Sequence, residues 1–372
     1  MNKVRVLHAI GNLSMGGAEL QCLRLANNLE PEHCEVGIVY LHDGPNPDAH
    51  STIRLFKIDR GAYWDVWAIY KQIDQSIEEF SPDIVQVWLP EIISVPAAWA
   101  AYRRGIPVVS GHRKTLNFSG SYKMMLRDWL SAPQHFLANR VVSNFPVDEE
   151  PAWFRAVYKR KNGCVVFNGL DLECIASQEP KRLPMRSEFR LIYAGRLAPQ
   201  KGISLALDAV SLLRGQGLDI HLTLFGEGSD GYVEKLVTYM KAIELDDGAV
   251  TFYGQRQDWQ VYAADADALL CPSKGEGTSN VVLEALASGI PVVISDIAMS
   301  RQLLSHNETA LIIKTESGEA WADGILELLN NEALGSSLRR NGMEFAEGFR
   351  LSTMVQSYRD VYLNLLAGNA TT

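Results

Sequence analysis

Cysteines are few and odd in number, and no two form a C-x-x-C pair: Cys22, Cys34, Cys164, Cys174 and Cys271 are scattered over 372 residues. That pattern argues against a disulfide framework and a zinc site, and for a reducing compartment. No apolar run reaches the roughly 20 residues of a membrane span. The apolar run after Lys3 and Arg5 is too short for a secretory signal. A cytoplasmic location is therefore expected, and the sequons at Asn12, Asn117, Asn307 and Asn369 read as chance. Internal repeats and low-complexity tracts are missing too. Basic excess is also lacking, with 35 Lys+Arg against 44 Asp+Glu and a net charge of −9. With no binding motif in the chain, nucleic acid is not expected as a partner.

What is present is the composition of a folded protein, 47% apolar with both charge signs dispersed. The length exceeds one ordinary core, so two domains are expected. Strand-like and helix-like segments alternate throughout, which predicts parallel α/β layers. VRVLHAI, VGIVYL, DIVQVWL and PVVSG read as strands of a first domain. RLIYAG, IHLTLFG, AVTFYG, ADALLCPS, PVVISD and ALIIK read as strands of a second. Between them, residues 167–189 mix Asn-Gly, prolines and charges, as a linker would. The expected division is 1–168 and 169–349. Charge divides unevenly as well: residues 102–161 hold 11 basic and 4 acidic side chains. Phe118, Tyr122, Met124, Met125, Trp129, Trp153, Phe154 and Tyr158 interleave with them. Such a stretch is either an ordinary solvated face or a surface for anionic lipid or a lipid-diphosphate acceptor.

In open parallel sheets ligands bind beyond the C-terminal ends of strands, and the chemistry-bearing residues fall there. Gly16 and Gly17 stand between the first strand and its helix, where glycine lets backbone N–H groups approach a phosphate. A tight turn is the plainer explanation, and the loop lacks the spacing of a dinucleotide fingerprint. Arg196 and Lys201 follow the strand LIYAG, five residues apart. A planar fork and a point charge together suit a diphosphate. In CPSKGEGTSNVVLEALASGIPVVI (271–294), Glu276 and Glu284 bracket the start of a helix expected over Asn280–Ser288. That start favours an anion. Wheel positions put Val282, Leu283 and Leu286 on one face and Asn280, Glu284 and Ala287 roughly opposite. Taken alone, Glu284 reads as a solvated carboxylate.

The last stretch resembles the signature of retaining family-four glycosyltransferases of the GT-B fold: a Pro-Ser, a Glu-Gly, a second Glu eight residues after the first, and a Gly-x-Pro-Val-Val. VRVLHAIGNLSMGGAE (4–19), VVFNGLD (165–171) and LIYAGRLAPQKG (191–202) are family-like and in the right order, so the resemblance covers most of the chain. It implies an α/β fold of two Rossmann-like domains facing across a cleft, the first on the acceptor side and the second holding a nucleotide-sugar. A last helix at about 350–368 is expected to pack back on the first domain. The implied reaction transfers a sugar, with retention, from a nucleotide diphosphate donor such as a UDP-sugar to a glycan or lipid-linked acceptor. The closest likeness in wording is to bacterial enzymes of surface-polysaccharide biosynthesis. The resemblance assigns the diphosphate to Arg196 and Lys201, the sugar hydroxyls to Glu276 and the ribose to Glu284. Main chain at Gly277, Thr278, Ser279, Asn280 and Val281 would meet phosphate and sugar, and Gly254 and Gln255 the base.

Two departures stand out. The family commonly has a His after the PVV strand of the first domain. Here His112 falls one place short and Arg113 occupies the expected spot, so either is the candidate. SDIAMSRQ (295–302) has Ala298, Met299 and Gln302 where the family's loop often has Gly-Gly and a later Glu. Asp265-Ala-Asp267 has the form of a metal-binding D-x-D but lies at a helix exit near the opposite sheet edge. With two cations for the diphosphate, no metal or other cofactor is expected. An epimerase or phosphorylase on the same fold would need an acid/base set or a cofactor lysine motif that is not found. A silent nucleotide-sugar-binding subunit would have no chemical reason to keep Arg196, Lys201, Glu276 and Glu284 together.

Overall fold

Strands mostly rich in Val, Ile and Leu, nearly all followed by a helix, build two parallel sheets covered on both faces. The computed structural model describes residues 3–13, 16–42, 49–59, 65–113, 130, 132–177, 189–245 and 248–369. Phe118, Tyr122, Met124, Met125, Trp129 and the 178–188 portion of the expected linker lie outside the described residues. Two compact units result: Met1–Gly169 with Leu351–Thr372, and Leu170–Arg350.

The first unit opens with β1 (Val4–Ala9), α1 (Gly17–Asn28), β2 (Cys34–Tyr40), β3 (Arg54–Lys57), α2 (Val66–Phe80) and β4 (Ile84–Val87). It continues through α3 (Ser94–Arg103), β5 (Val108–His112), α4 (Pro133–Leu137), β6 (Arg140–Ser143), α5 (Ala152–Arg160) and β7 (Cys164–Val165). The second holds α6 (Leu172–Ser177), β8 (Phe189–Ala194), α7 (Ile203–Gly215), β9 (Ile220–Phe225), α8 (Asp230–Ala242), β10 (Val250–Gly254) and α9 (Trp259–Tyr262). Then come β11 (Ala268–Cys271), α10 (Asn280–Ala287), β12 (Val292–Ser295), α11 (Ala298–Leu303), β13 (Leu311–Ile313), α12 (Gly318–Asn330) and α13 (Glu332–Ala346). The chain ends in α14 (Leu351–Asn369), which belongs to the first unit.

Both sheets are wholly parallel and share one winding. The first runs β3-β2-β1-β4-β5-β6-β7 and the second β10-β9-β8-β11-β12-β13. In each the chain works outward from a central strand, then returns to that strand's other side. The reversal leaves a crevice between β1 and β4, and another between β8 and β11, at their C-terminal ends.

Burial explains the layers. In the first unit α2, α3, α4 and α5 cover one sheet face around Ile69, Ile73, Ala97, Ala101 and Phe154. The other face is covered by α1 and α14 around Cys22, Leu25, Met354, Tyr358, Val361 and Tyr362. The α14 residues recur at the spacing of one helical stripe. In the second unit Ile203, Leu207 and Val210 of α7 pack with Trp321 and Ile325 of α12 over β8, β9 and β11.

Within the expected linker α6 forms, and Leu170 N–H donates to Phe349 O at 2.7 Å. One expectation needs correction. The segment 295–302 is largely helix: the Ser300 hydroxyl accepts from Ile297 N–H at 2.9 Å and caps α11.

Candidate active site

The β8 exit carries Gly195, Arg196 and a short 3-10 turn over Pro199–Lys201, then Gly202 at the head of α7. Gly202 has φ 64, and a Cβ there would stand 2.0 Å from Pro272 O in the β11 exit. Only glycine satisfies both the left-handed backbone and that approach. The two exits are also joined by Lys274 N–H donating to Gln200 O at 3.0 Å. Leu197 N–H donates to Glu227 O at 2.7 Å and Gly195 N–H to Phe225 O at 2.8 Å, which fixes the same loop to the β9 exit.

This zipping brings Lys201 and Glu276 into a hydrogen-bonded ion pair across the crevice. Both side chains are half-buried, at 22% and 15% exposure. Burial on its own lowers the Lys201 pKa, but the charge and hydrogen bond of Glu276 outweigh it and hold the ammonium above its usual value. Arg196 is exposed and close enough to Lys201 to oppose its charge. Its guanidinium has no carboxylate partner among the described residues. Tyr193, buried in β8, donates from its hydroxyl to Arg196 O at 2.9 Å and so props the loop from below.

Opposite Arg196 and Lys201, α10 begins at Asn280 after the N-cap Ser279, whose side chain makes no capping hydrogen bond. Gly277 and Thr278 are buried, while Ser279, Asn280 and Val281 are half-buried. The first-turn N–H groups and the partial positive charge of that helix end complement an anion held by the two cations.

Glu284 is not solvated. It is buried one turn into α10, and its Oε2 accepts from Gln260 Nε2 at 2.9 Å and Trp259 Nε1 at 3.2 Å. Both donors lie on α9, whose role no local spacing announces. Gly254 ends β10 with φ 82, and its carbonyl accepts from Gly226 N–H at 2.9 Å; Gln255 beyond it is exposed.

In the first unit the glycine loop is flanked by acid. A Cβ at Gly16 would meet Glu19 Oε2 at 2.2 Å, and Gly11 N–H donates to Glu91 Oε2 at 2.6 Å. A phosphate at this loop would therefore meet like charge as well as backbone N–H groups.

His112 ends β5 and is buried, its ring 4.0 Å from Phe154 and its Nε2 3.4 Å from Glu150 Oε2. Arg113 is buried beside it, 4.1 Å over the Trp88 ring, and donates to Asn168 Oδ1 at 3.0 Å and to the Tyr358 hydroxyl. Asp265 pairs with the Arg190 guanidinium, and Asp267 Oδ2 accepts from Arg190 N–H at 2.7 Å. Those aspartates thus pin the start of β8, at the end of the sheet away from the crevice.

Two protein-family models match the chain: one described as glycosyl transferases group 1, over residues 188–331, and one as glycosyltransferase family 4, over residues 15–173. A glycosyltransferase of Haemophilus influenzae is 22% identical over 356 residues, which is 94% of this chain and 96% of that one. A Campylobacter jejuni protein is 25% identical over 186 residues, 50% of this chain and 49% of its own. It is named as a 4-alpha-N-acetylgalactosaminyltransferase acting on a diphospho-undecaprenol-linked sugar. For most such curated relatives the match spans about half of the relative's length. Among solved structures, HepE of Anabaena in complex with UDP has a TM-score of 0.75 at 18% identity, over 98% of this chain and 100% of that one. At that identity the likeness concerns the fold.

Proposed function

The chain belongs to the family-four glycosyltransferases, built on the GT-B fold of two Rossmann-like domains, and from that premise we propose that it transfers a sugar, with retention, from a nucleotide diphosphate donor to a glycan or lipid-linked acceptor. The observation that carries this reading is the Lys201–Glu276 pair spanning the β8/β11 crevice with Arg196 beside it. Arg196, Lys201 and the start of α10 neutralise the diphosphate as it leaves, with no metal called upon. Glu276, oriented by Lys201, accepts from hydroxyls of the transferred sugar, and Glu284, oriented by Trp259 and Gln260, from the ribose.

As the bond from C1 to the leaving phosphate oxygen breaks, the acceptor oxygen bonds to C1 on the same face. The leaving phosphate takes the acceptor's proton. A carboxylate engaged with a lysine is a poor nucleophile, which favours this route over a covalent adduct on Glu276. His112 is proposed to contact the donor sugar after local adjustment of its aromatic surroundings.

UDP is the proposed nucleotide, supported by the UDP complex of a protein with this fold. A role in polysaccharide or lipid-linked glycan synthesis is supported by the name of the Campylobacter jejuni relative. The enzyme would then work in the cytoplasm at the inner face of the membrane. Proton NMR of fresh product from an α-linked donor tests the stereochemistry: an α-type anomeric coupling is expected, and a β-linkage overturns the mechanism. The same reaction is expected to survive excess EDTA.

A further inference from the structure

The described tryptophans divide sharply by location. Trp88, Trp259 and Trp321 are buried, whereas Trp67, Trp99 and Trp153 are 60%, 43% and 37% exposed. All three exposed ones lie on the α2–α5 layer of the first unit, and each stacks on a neighbouring ring. Trp67 stacks with Tyr70 at 5.0 Å, Trp99 with Tyr102 at 5.9 Å and Trp153 with Phe136 at 6.4 Å. The α1/α14 layer on the opposite sheet face exposes only Leu363 among its large apolar side chains.

Basic charge gathers on the same layer. Lys71 lies over the Trp67 ring at 5.8 Å. Arg103 is exposed beside Tyr102, and Arg155, Lys159 and Arg160 share the outward face of α5 with Trp153. None of these five is in ion-pair contact with a carboxylate among the described residues, although the charge of Arg103 reaches Asp74. The acids of α2 are already engaged, Asp74 and Glu78 with Arg104 and Glu79 with Arg54. Among the described residues, the exposed tryptophans of this acidic protein thus share a layer with cations that form no ion pair.

We propose that the outer face of the α2–α5 layer docks on an anionic lipid surface. Indole and phenol rings settle at the headgroup level, with an apolar body and a polar tip. Lysine and arginine around them meet the negative surface potential. The rings form separated pairs interleaved with lysine and arginine, a pattern that lets indoles and cations meet an anionic headgroup layer together. The surface gives the lipid-linked acceptor reading a place to act, and it rests on that reading for its purpose only.

Flotation of the full chain with vesicles tests it. Phosphatidylcholine vesicles containing phosphatidylglycerol are expected to carry the protein at low salt, less at high salt, and pure phosphatidylcholine vesicles much less. The triple variant W67S/W99S/W153S is expected to lower the bound fraction at least about tenfold with unchanged circular dichroism. Because that variant could lose its fold, R155E/K159E/R160E provides a second arm, with a similar loss expected. L363S, on the other layer, should bind like wild type. The proposal is overturned if wild type does not float, if either triple variant floats as wild type does, or if wild type is a dimer that the tryptophan variant dissociates. Transfer to a soluble acceptor should be unchanged in both variants, so a failed flotation leaves the donor-site reading standing.

Discussion

The two units share one winding and use its crevice in opposite ways. In the second unit the crevice between β8 and β11 presents charge outward: Arg196 exposed, Lys201 and Glu276 paired and half-buried, the start of α10 uncapped by its Ser279. In the first unit the polar groups near β1 and β4 turn inward. Trp88 Nε1 donates to His8 Nδ1 at 3.1 Å, the Tyr362 hydroxyl donates to Gln86, and Arg113 donates to Tyr358. Tyr358 and Tyr362 belong to α14, so that network holds the terminal helix. One copy of the scaffold thus keeps its cations near water, as the proposed anion site requires. The other yields a buried polar seam where its cation is taken up by the protein's own groups.

The largest expected effect breaks the outward half of this comparison. Arg196→Ala and Lys201→Ala should each lower turnover at least about a hundredfold, as for loss of one stabiliser of developing charge, with little change in unfolding midpoint. Near-normal rates in both purified variants would remove the diphosphate assignment. Next comes Gly202→Ala, which opposes a φ of 64 and drives a Cβ into Pro272 O. It should cost about 2 kcal/mol in urea unfolding and reduce turnover as well, because it separates the two exits. A wild-type midpoint would mean the exits are not held together there.

The last effect, spread over several pH units, sharpens the inward half. Burial, and then the charge of Arg113, lowers the His8 pKa to about 3; burial, and then His112, lowers that of His135 to about 3. Both groups are neutral in the folded chain and have a pKa near 6.5 when unfolded. Their contribution is fully present above pH 6.5 and is lost as pH falls from there towards 3. Stability should therefore decline through that window, by up to about 1.4 kcal/mol per pH unit for each His. His8→Gln should flatten the slope of melting temperature against pH, and an unchanged slope would exclude His8 from the acid response.

Much of this arrangement is legible in the sequence. Ten strands can be read as apolar runs with turn signals after them. The strands that escape such reading are at or near a sheet edge: β3 is the charged RLFK, β6 begins with Arg140, and β7 has two residues. Too little apolar sequence marks them. Arg196, Lys201 and Glu276 stand out by spacing, but the Lys201–Glu276 bond links positions 75 apart and follows from β8 lying beside β11. Glu284 looks solvated on a helical wheel because the wheel omits α9, which supplies its donors. The glycines after β1 are legible as a turn into α1, whereas no local spacing announces the carboxylates of Glu19 and Glu91 beside them.

The central claim is that the β8/β11 crevice, with Arg196, Lys201 and the start of α10, holds the donor diphosphate. Amide hydrogen exchange of the whole chain with and without saturating UDP tests it most directly. The account predicts that protection centres on residues 195–202 and 273–284, and that it fades in Lys201→Ala. Unchanged exchange in both segments, with protection at residues 11–17 instead, would contradict it.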